Sequence, residues 1–252
     1  MRINKIPLFF LSLIGLLSFS SCNKEDSNNS NGTGIKGEGH IVTRTLPIDQ
    51  FNGVNLATSP NVTVKQGTQL EVKAIGQDNI IDVISTNVEN GVWKIKFTNS
   101  VSGNFDLSIE ITTPGINSVE TSSSGNIIVG DFTNQANNLF LETSSSGDIT
   151  LNQFDGISSL EAITSSSGNI YATKEITSLQ NLMITLSSSG NYSGFSLSGD
   201  QCIVKSSSNG KVELKANTSL DVTISSSGNV YYKGTPTITE KITSSGILID
   251  AN

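Results

Sequence analysis

The chain has 252 residues, with 35% apolar and only 6% aromatic side chains, enough for one or two small domains or one elongated body but poor material for a broad globular core. Charged residues are sparse at 15%, unlike the composition of a disordered chain. A net charge of −7 and a pI near 4.7 argue against a nucleic-acid surface, which needs clustered Lys and Arg.

The first segment reads as a targeting leader, residues 1–21. Arg2 and Lys5 make a short positive region, and "IPLFFLSLIGLLSF" is apolar but too short for a comfortable membrane span. Small residues in "SFSSC" lead directly to Cys22. The pattern resembles the lipobox of bacterial lipoproteins, in which the cysteine becomes the acylated first residue; the plain alternative is a secretory leader with a chance cysteine. On the lipobox reading the protein is held to a membrane through Cys22, by acyl chains that contribute about 0.8 kcal/mol per buried CH₂. Loss of Arg2 and Lys5 with the leader takes the charge from −7 to −9 and leaves Arg44 as the single arginine. Cys202 then has no partner, so no disulfide framework exists, and it is expected to pack as a small hydrophobe.

Residues 22–36 are a polar tether, "NKEDSNNSNGTG" being free of apolar residues. Lys24-Glu25-Asp26 resembles the acidic signal that exports some lipoproteins to the outer face of the outer membrane; a solvated charge cluster is the alternative.

A single β domain is expected over 37–252. Within it, 37–115 is strand-rich but irregular: "HIVTRTLPI", "NVTVKQG", "LEVKAIG", "VWKIKFT" and "FDLSIEITTPG" alternate, and Gly53, "KQGTQ", "VENG" and "SVSGN" mark turns. These are read as first coils or a cap. No window shows helical periodicity, so no substantial helix is expected.

From 116 to 252 the chain repeats a serine tetrad: "TSSSGNI", "TSSSGDI", "TSSSGNI", "LSSSGNY", "SSSNGKV", "ISSSGNV", "ITSSGIL". Its glycines, Gly125, Gly147, Gly168, Gly190, Gly210, Gly228 and Gly246, are 22, 21, 22, 20, 18 and 18 residues apart. That period is too short for paired-helix repeats and suits one coil of a β-solenoid. The flanks alternate with period two: Val119, Thr121, Ser123, Gly125, Ile127 and Val129 share one parity, as do Leu141, Thr143, Ser145, Gly147, Ile149 and Leu151. The middle serine should therefore face inward and the first and third outward. Glycine is expected to permit a bend or a positive φ, and "LIDAN" to cap the far end. The fold class is all-β, a right-handed parallel β-helix.

The run "GEGHIVTRTLPIDQFNGVNLATSPNVTVKQG", the "DN-I/L-I" step, "ITTPGINSV" and the tetrads that follow resemble the family called putative auto-transporter adhesin, head GIN domain, over about Gly37 to Ile249. The resemblance implies a β-helix like that of pectin lyases and a lipoprotein of the Gram-negative cell envelope, in the outer membrane, on the surface or in the periplasm. It implies no established activity. The serine triplets depart from the family's general S-G-S-G pattern.

Little chemistry is legible. His40 and Arg44 both fall in the first predicted strand, and Asp106, Asp131, Asp148, Asp155, Asp200 and Asp221 are scattered singly, so neither a catalytic residue nor a metal ligand is assigned and no cofactor is expected. Asn126, Asp148, Asn169, Asn191 and Asn229 form an outward column with one acid, too few carboxylates for calcium. The candidate recognition surface is a flat hydroxyl grid: one row of Ser122, Ser144, Ser165, Ser187 and Ser225, a second of Ser124, Ser146, Ser167, Ser189 and Ser227, with Tyr171 and Tyr231 placed to stack on sugar rings. The function expected is a non-enzymatic, lipid-anchored envelope module, adhesin-like or glycan-facing, whose partners are the membrane and a glycan or surface protein. A carbohydrate-active β-helix enzyme and a passive envelope spacer are the alternatives; for the serine rows the alternative is a structural role, small side chains that let strands stack.

Overall fold

The computed structural model describes residues 34–133, 135 and 138–252, with the backbone alone at 177 and 178. The leader, Cys22 and the tether up to residue 33 lie outside them; Ile35 and Lys36, expected in the tether, are instead tied to the domain, Ile35 N–H donating to Ser100 O at 2.8 Å and Lys36 O accepting from Asn79 Nδ2 at 2.7 Å.

The described chain is a β-solenoid of about six turns. Its strands are β1 (Ile41–Thr45), β2 (Gly53–Leu56), β3 (Asn61–Gln66) and β4 (Glu71–Gln77), then a single helical turn α1 (Asp78–Ile81), β5 (Val88–Glu89), β6 (Val92–Ile95) and β7 (Leu107–Thr113). The repetitive part follows as β8 (Ser118–Thr121), β9 (Ile127–Val129), β10 (Leu139–Thr143), β11 (Ile149–Leu151), β12 (Ser159–Thr164), β13 (Ile170–Ala172) and β14 (Ile176–Leu186). It closes with β15 (Tyr192–Ser206), β16 (Lys211–Ile224), β17 (Asn229–Lys233), β18 (Thr237–Ile242) and β19 (Leu248–Asp250).

Each coil of the repetitive part has two faces joined at the serine tetrad. The first face stacks β8, β10, β12 and the C-terminal halves of β14, β15 and β16, ending on β18, all parallel. The second stacks β9, β11, β13, the N-terminal ends of β15 and β16, then β17 and β19. The predicted parity holds through the corner: Thr121, Gly125, Ile127 and Val129 are all buried. Val119, Leu141, Ala162, Ile184, Val204 and Val222 follow one another coil over coil at no more than 1% exposure. A buried Val, Leu or Ile contributes about 1.5–3 kcal/mol, so inward columns of this kind are a large source of stability.

The glycine of the tetrad answers to close approach, not to backbone handedness. None of the seven repeat glycines is among the positive-φ residues, contrary to one of the two roles expected. A Cβ placed on Gly168 would stand 2.2 Å from the Gly147 carbonyl oxygen, and one on Gly190 2.2 Å from that of Gly168. The same clash recurs at Gly147, Gly210, Gly228 and Gly246. Backbone hydrogen bonds continue around the bend: Ser144 N–H donates to Thr121 O at 2.9 Å, and Gly147 N–H to Ser123 O at 2.9 Å. Next to it runs the polar column of Asn126, Asp148, Asn169 and Asn191, whose side chains satisfy backbone groups. Asn126 Oδ1 accepts from Asp148 N–H at 2.9 Å, Asp148 Oδ1 from Asn169 N–H at 2.8 Å, and Asn169 Oδ1 from Asn191 N–H at 3.0 Å.

The N-terminal region departs from a simple parallel stack. β2 and β3 form a coil directly on β8 and β9, pairing Val54 with Val119 and Val62 with Ile127. The chain then moves outward: β6 stacks on β2 and β7 on β3, both parallel, before the chain returns to β8. Coil order therefore differs from chain order. β4 pairs antiparallel with β7 and β1 antiparallel with β4, covering an edge that would otherwise offer unpaired backbone groups. Trp93 is fully buried here and donates its indole N–H to Ser85 O at 2.9 Å. Arg44 bonds Asp78 at 2.8 Å and Asp82 at 2.5 Å, fastening β1 to the helical turn.

Candidate functional site

Three surfaces bear on function. The first is the tetrad corner. Ser122, Ser144, Ser165, Ser187 and Ser225 are exposed, as are Ser124, Ser146, Ser167, Ser189 and Ser227. The chain bends at the second and third serine of each tetrad, so the two rows wrap a corner; the flat grid expected from strand geometry is corrected to a curved ridge. The middle serines are half-buried at 123, 145, 166, 188 and 226 and buried only at Ser208, where Oγ accepts the Gly210 N–H at 3.0 Å. Inward parity alone overstated their burial because the bend tilts them toward the rim. Several first-row hydroxyls already lean on the backbone of the previous coil: Ser187 Oγ on Thr164 O at 3.5 Å, Ser225 Oγ on Ser206 O at 3.5 Å.

Tyr171 and Tyr231 are half-buried and occupy one column of the second face, separated by Ser193 and Glu213. Three strand spacings put them about 14 Å apart. They do not form one platform, and the Tyr231 ring already carries Lys211 Nζ at 5.9 Å from its centroid.

The second surface is the outward side of the first face. Phe140, Glu161, Met183, Ile203 and Asp221 are successive cross-strand neighbours. Asn181, Gln201 and Ser219 run beside them in the same order, beginning from Ser159. A groove of about 490 Å³ lies over Glu161, Met183, Ile203 and Asp221, and a hollow of about 460 Å³ lies over Phe140. Both share Ser159 and Glu161. A larger hollow of about 910 Å³ opens on the return side of the coils near Asp155, Lys174 and Glu175. There Lys174 is already paired with Asp131 at 2.9 Å, which holds the Asp131 carboxyl below its ordinary range.

The third feature is a carboxylate pair that inspection of the aspartates missed. Glu120 and Glu142 are in register on adjacent coils, about 4.8 Å apart at the backbone. Glu120 accepts from Asn55 Nδ2 at 2.7 Å and from Ser118 Oγ at 2.9 Å. Partial burial, and then the neighbouring Glu120 charge, push the Glu142 carboxyl above its ordinary range. The signal was present in "VETSSSG" and "LETSSSG", the same residue at the same distance from two glycines. Among the described residues no group of three or more His, Cys, Asp or Glu side chains is placed to hold a metal ion. His40 is exposed just ahead of β1, and Arg44 is committed to Asp78 and Asp82.

Cys202 is buried at 1% exposure, its thiol directed at Gly199 O at 3.5 Å. Burial pushes its pKa up to about 12. Tyr192, also wholly buried, has its hydroxyl raised by the same cause.

Serine corners and a grooved outer face on stacked coils define a β-solenoid repeat protein. The chain belongs to the putative auto-transporter adhesin, head GIN domain family, whose profile matches residues 50–236. Solved structures share the fold. A putative adhesin from Bacteroides fragilis superposes with a TM-score of 0.74 at 21% identity, over 85% of this chain and 98% of that one. A putative lipid binding protein from Parabacteroides distasonis gives 0.67 at 24% identity over the same shares. A putative adhesin from Parabacteroides merdae gives 0.59 at 17% identity, again over 85% and 98%. No curated protein matches the chain.

Proposed function

We propose that the protein is a non-enzymatic adhesin-like module of the Gram-negative cell envelope, anchored by acylation at Cys22 and held off the outer membrane by the polar segment between Cys22 and residue 34. The observation that carries this reading is family membership: the family is described as putative auto-transporter adhesin, head GIN domain, and solved structures with this fold include proteins described as putative adhesins from Bacteroides and Parabacteroides. The lipobox-like "SFSSC" supports the anchor. The solenoid supports a display role, because side chains repeated at each coil make a regular surface that meets a repeating ligand, such as a glycan, at several points at once.

The test uses cells expressing the full chain. Cys22→Ala is expected to move the protein from the membrane to the soluble fraction and to abolish adhesion of intact cells to polysaccharide-coated surfaces. Retention of the variant in membranes would refute the anchor. The Glu120–Glu142 pair favours one second reading, a glycan-cleaving β-helix; new reducing ends released from the coating would support it over the binding module.

A further inference from the structure

We propose that the groove on the first face, from Phe140 to Asp221, and not the serine ridge, is where a ligand docks, and that the ligand is an uncharged polysaccharide chain lying along the solenoid axis. This deepens the binding-module reading and rests on it.

The floor alternates in character along the axis. Phe140 presents an aromatic ring, Glu161 a carboxylate, Met183 and Ile203 apolar side chains, and Asp221 a second carboxylate. Ile203 stays 37% exposed although it faces out from the middle of a sheet. The flank supplies Asn181 and Gln201, whose amides both donate and accept. A sugar ring has the matching duality, an apolar C–H face and a rim of hydroxyls. Aromatic and aliphatic side chains cover the first, and carboxylates and amides bond the second. Hydrogen bonds from hydroxyls to a carboxylate are charge-assisted and about twice as strong as neutral ones.

Three further points narrow the ligand. The trough spans five coils, about 19 Å at 4.8 Å per rung, which is the reach of a chain and not of a single sugar. Among the described residues its charged lining side chains are Glu161, on the second rung, and Asp221, on the fifth, so an anionic polysaccharide meets like charge twice along its length; Lys205 stands one column away, beside the Ile203 position. A peptide cannot join as an added strand, because β10, β12, β14, β15 and β16 are each paired on both sides.

The experiment titrates the full lipidated chain, in detergent, with neutral hexasaccharides (cello-, xylo- and manno-hexaose) and with the hexamer of galacturonate, by calorimetry. A neutral hexamer is expected to bind, more weakly as the chain is shortened to the disaccharide, and galacturonate not to bind. Phe140→Ala and Ile203→Glu, both on the outer face and so harmless to the core, should each weaken binding by at least about tenfold. The double variant Ser144→Ala/Ser165→Ala should leave it unchanged. Binding lost in the serine variant but kept in the groove variants would overturn the groove assignment and leave the glycan-binding module standing. Preference for galacturonate, or uptake of fatty acid into the groove in place of sugar, would overturn the ligand class. No sugar bound by a protein that still supports cell adhesion would overturn this inference alone; loss of adhesion as well would take the parent reading with it.

Discussion

A methyl group added at Gly168 would sit 2.2 Å from the backbone carbonyl of Gly147, whose peptide is fixed through the Asp148 N–H that donates to Asn126 Oδ1 at 2.9 Å. Overpacking of this kind costs typically 1–3 kcal/mol, and more where backbone must move. Gly168→Ala is therefore expected to cost at least about 3 kcal/mol in urea unfolding, whereas Ser167→Ala, one residue away and exposed, should stay within about 0.5 kcal/mol. Equal effects at the two positions would show that the glycine has no steric role. Cys202 gives a second residue-level expectation. Its folded pKa lies near 12, above the ordinary value of 9, so the folded protein keeps the proton that the unfolded chain loses. Any stability from this source is intact below pH 9 and falls as pH rises toward 12. The thiol should accordingly resist alkylation at pH 8 until denaturant is added; fast labelling of the native protein would contradict its burial. At this scale the sequence was partly legible. Alternation placed Val119, Thr121 and Ile127 correctly, because an in/out choice is all that a strand demands. It could not grade the tilt of Ser123 at a bend, and it passed over Glu142, whose significance comes only from the Glu120 in the next coil.

The coil is the unit at the next scale. Every tetrad obeys the same local constraints, glycine for closeness, a small residue at the corner and, at several coils, an asparagine or aspartate whose oxygen receives the next coil's N–H. That is why the repeat could be read with its period from the residues alone. The N-terminal coils carry no such marker. The turn between β2 and β3 runs through "ATSP" in place of a serine tetrad, and the next segments leave the axis before returning, so neither the reversed coil order nor the antiparallel cover was visible locally. Nearest-neighbour stacking makes whole coils interchangeable. Excising residues 144–164, one coil, joins Thr143 to Ser165 in the same register and should leave a folded β protein by circular dichroism with a single cooperative melt. Excising residues 144–153 breaks the register and should not. If both deletions fold equally well, or both fail, the coils are not independent units.

On the scale of the molecule, two faces and a corner divide the labour. The inward columns hold the stack together, the corner sets its closeness, and the outward side of the first face is left with a groove whose residues the core does not need. Family membership and architecture were both legible in the sequence, whereas the groove was not, because its residues are about twenty apart and share no motif. All of it depends on tetrads lying one strand spacing apart. An engineered cross-link tests that directly. Cysteines at 144 and 165 would have backbones about 4.8 Å apart, within disulfide range, whereas 144 and 187, two coils apart at about 9.6 Å, exceed it. Mild oxidation of Ser144→Cys/Ser165→Cys should give complete intramolecular closure, seen as a shift in gel mobility, and Ser144→Cys/Ser187→Cys should give none. Two free thiols in the first variant, or closure in both, would contradict the stack.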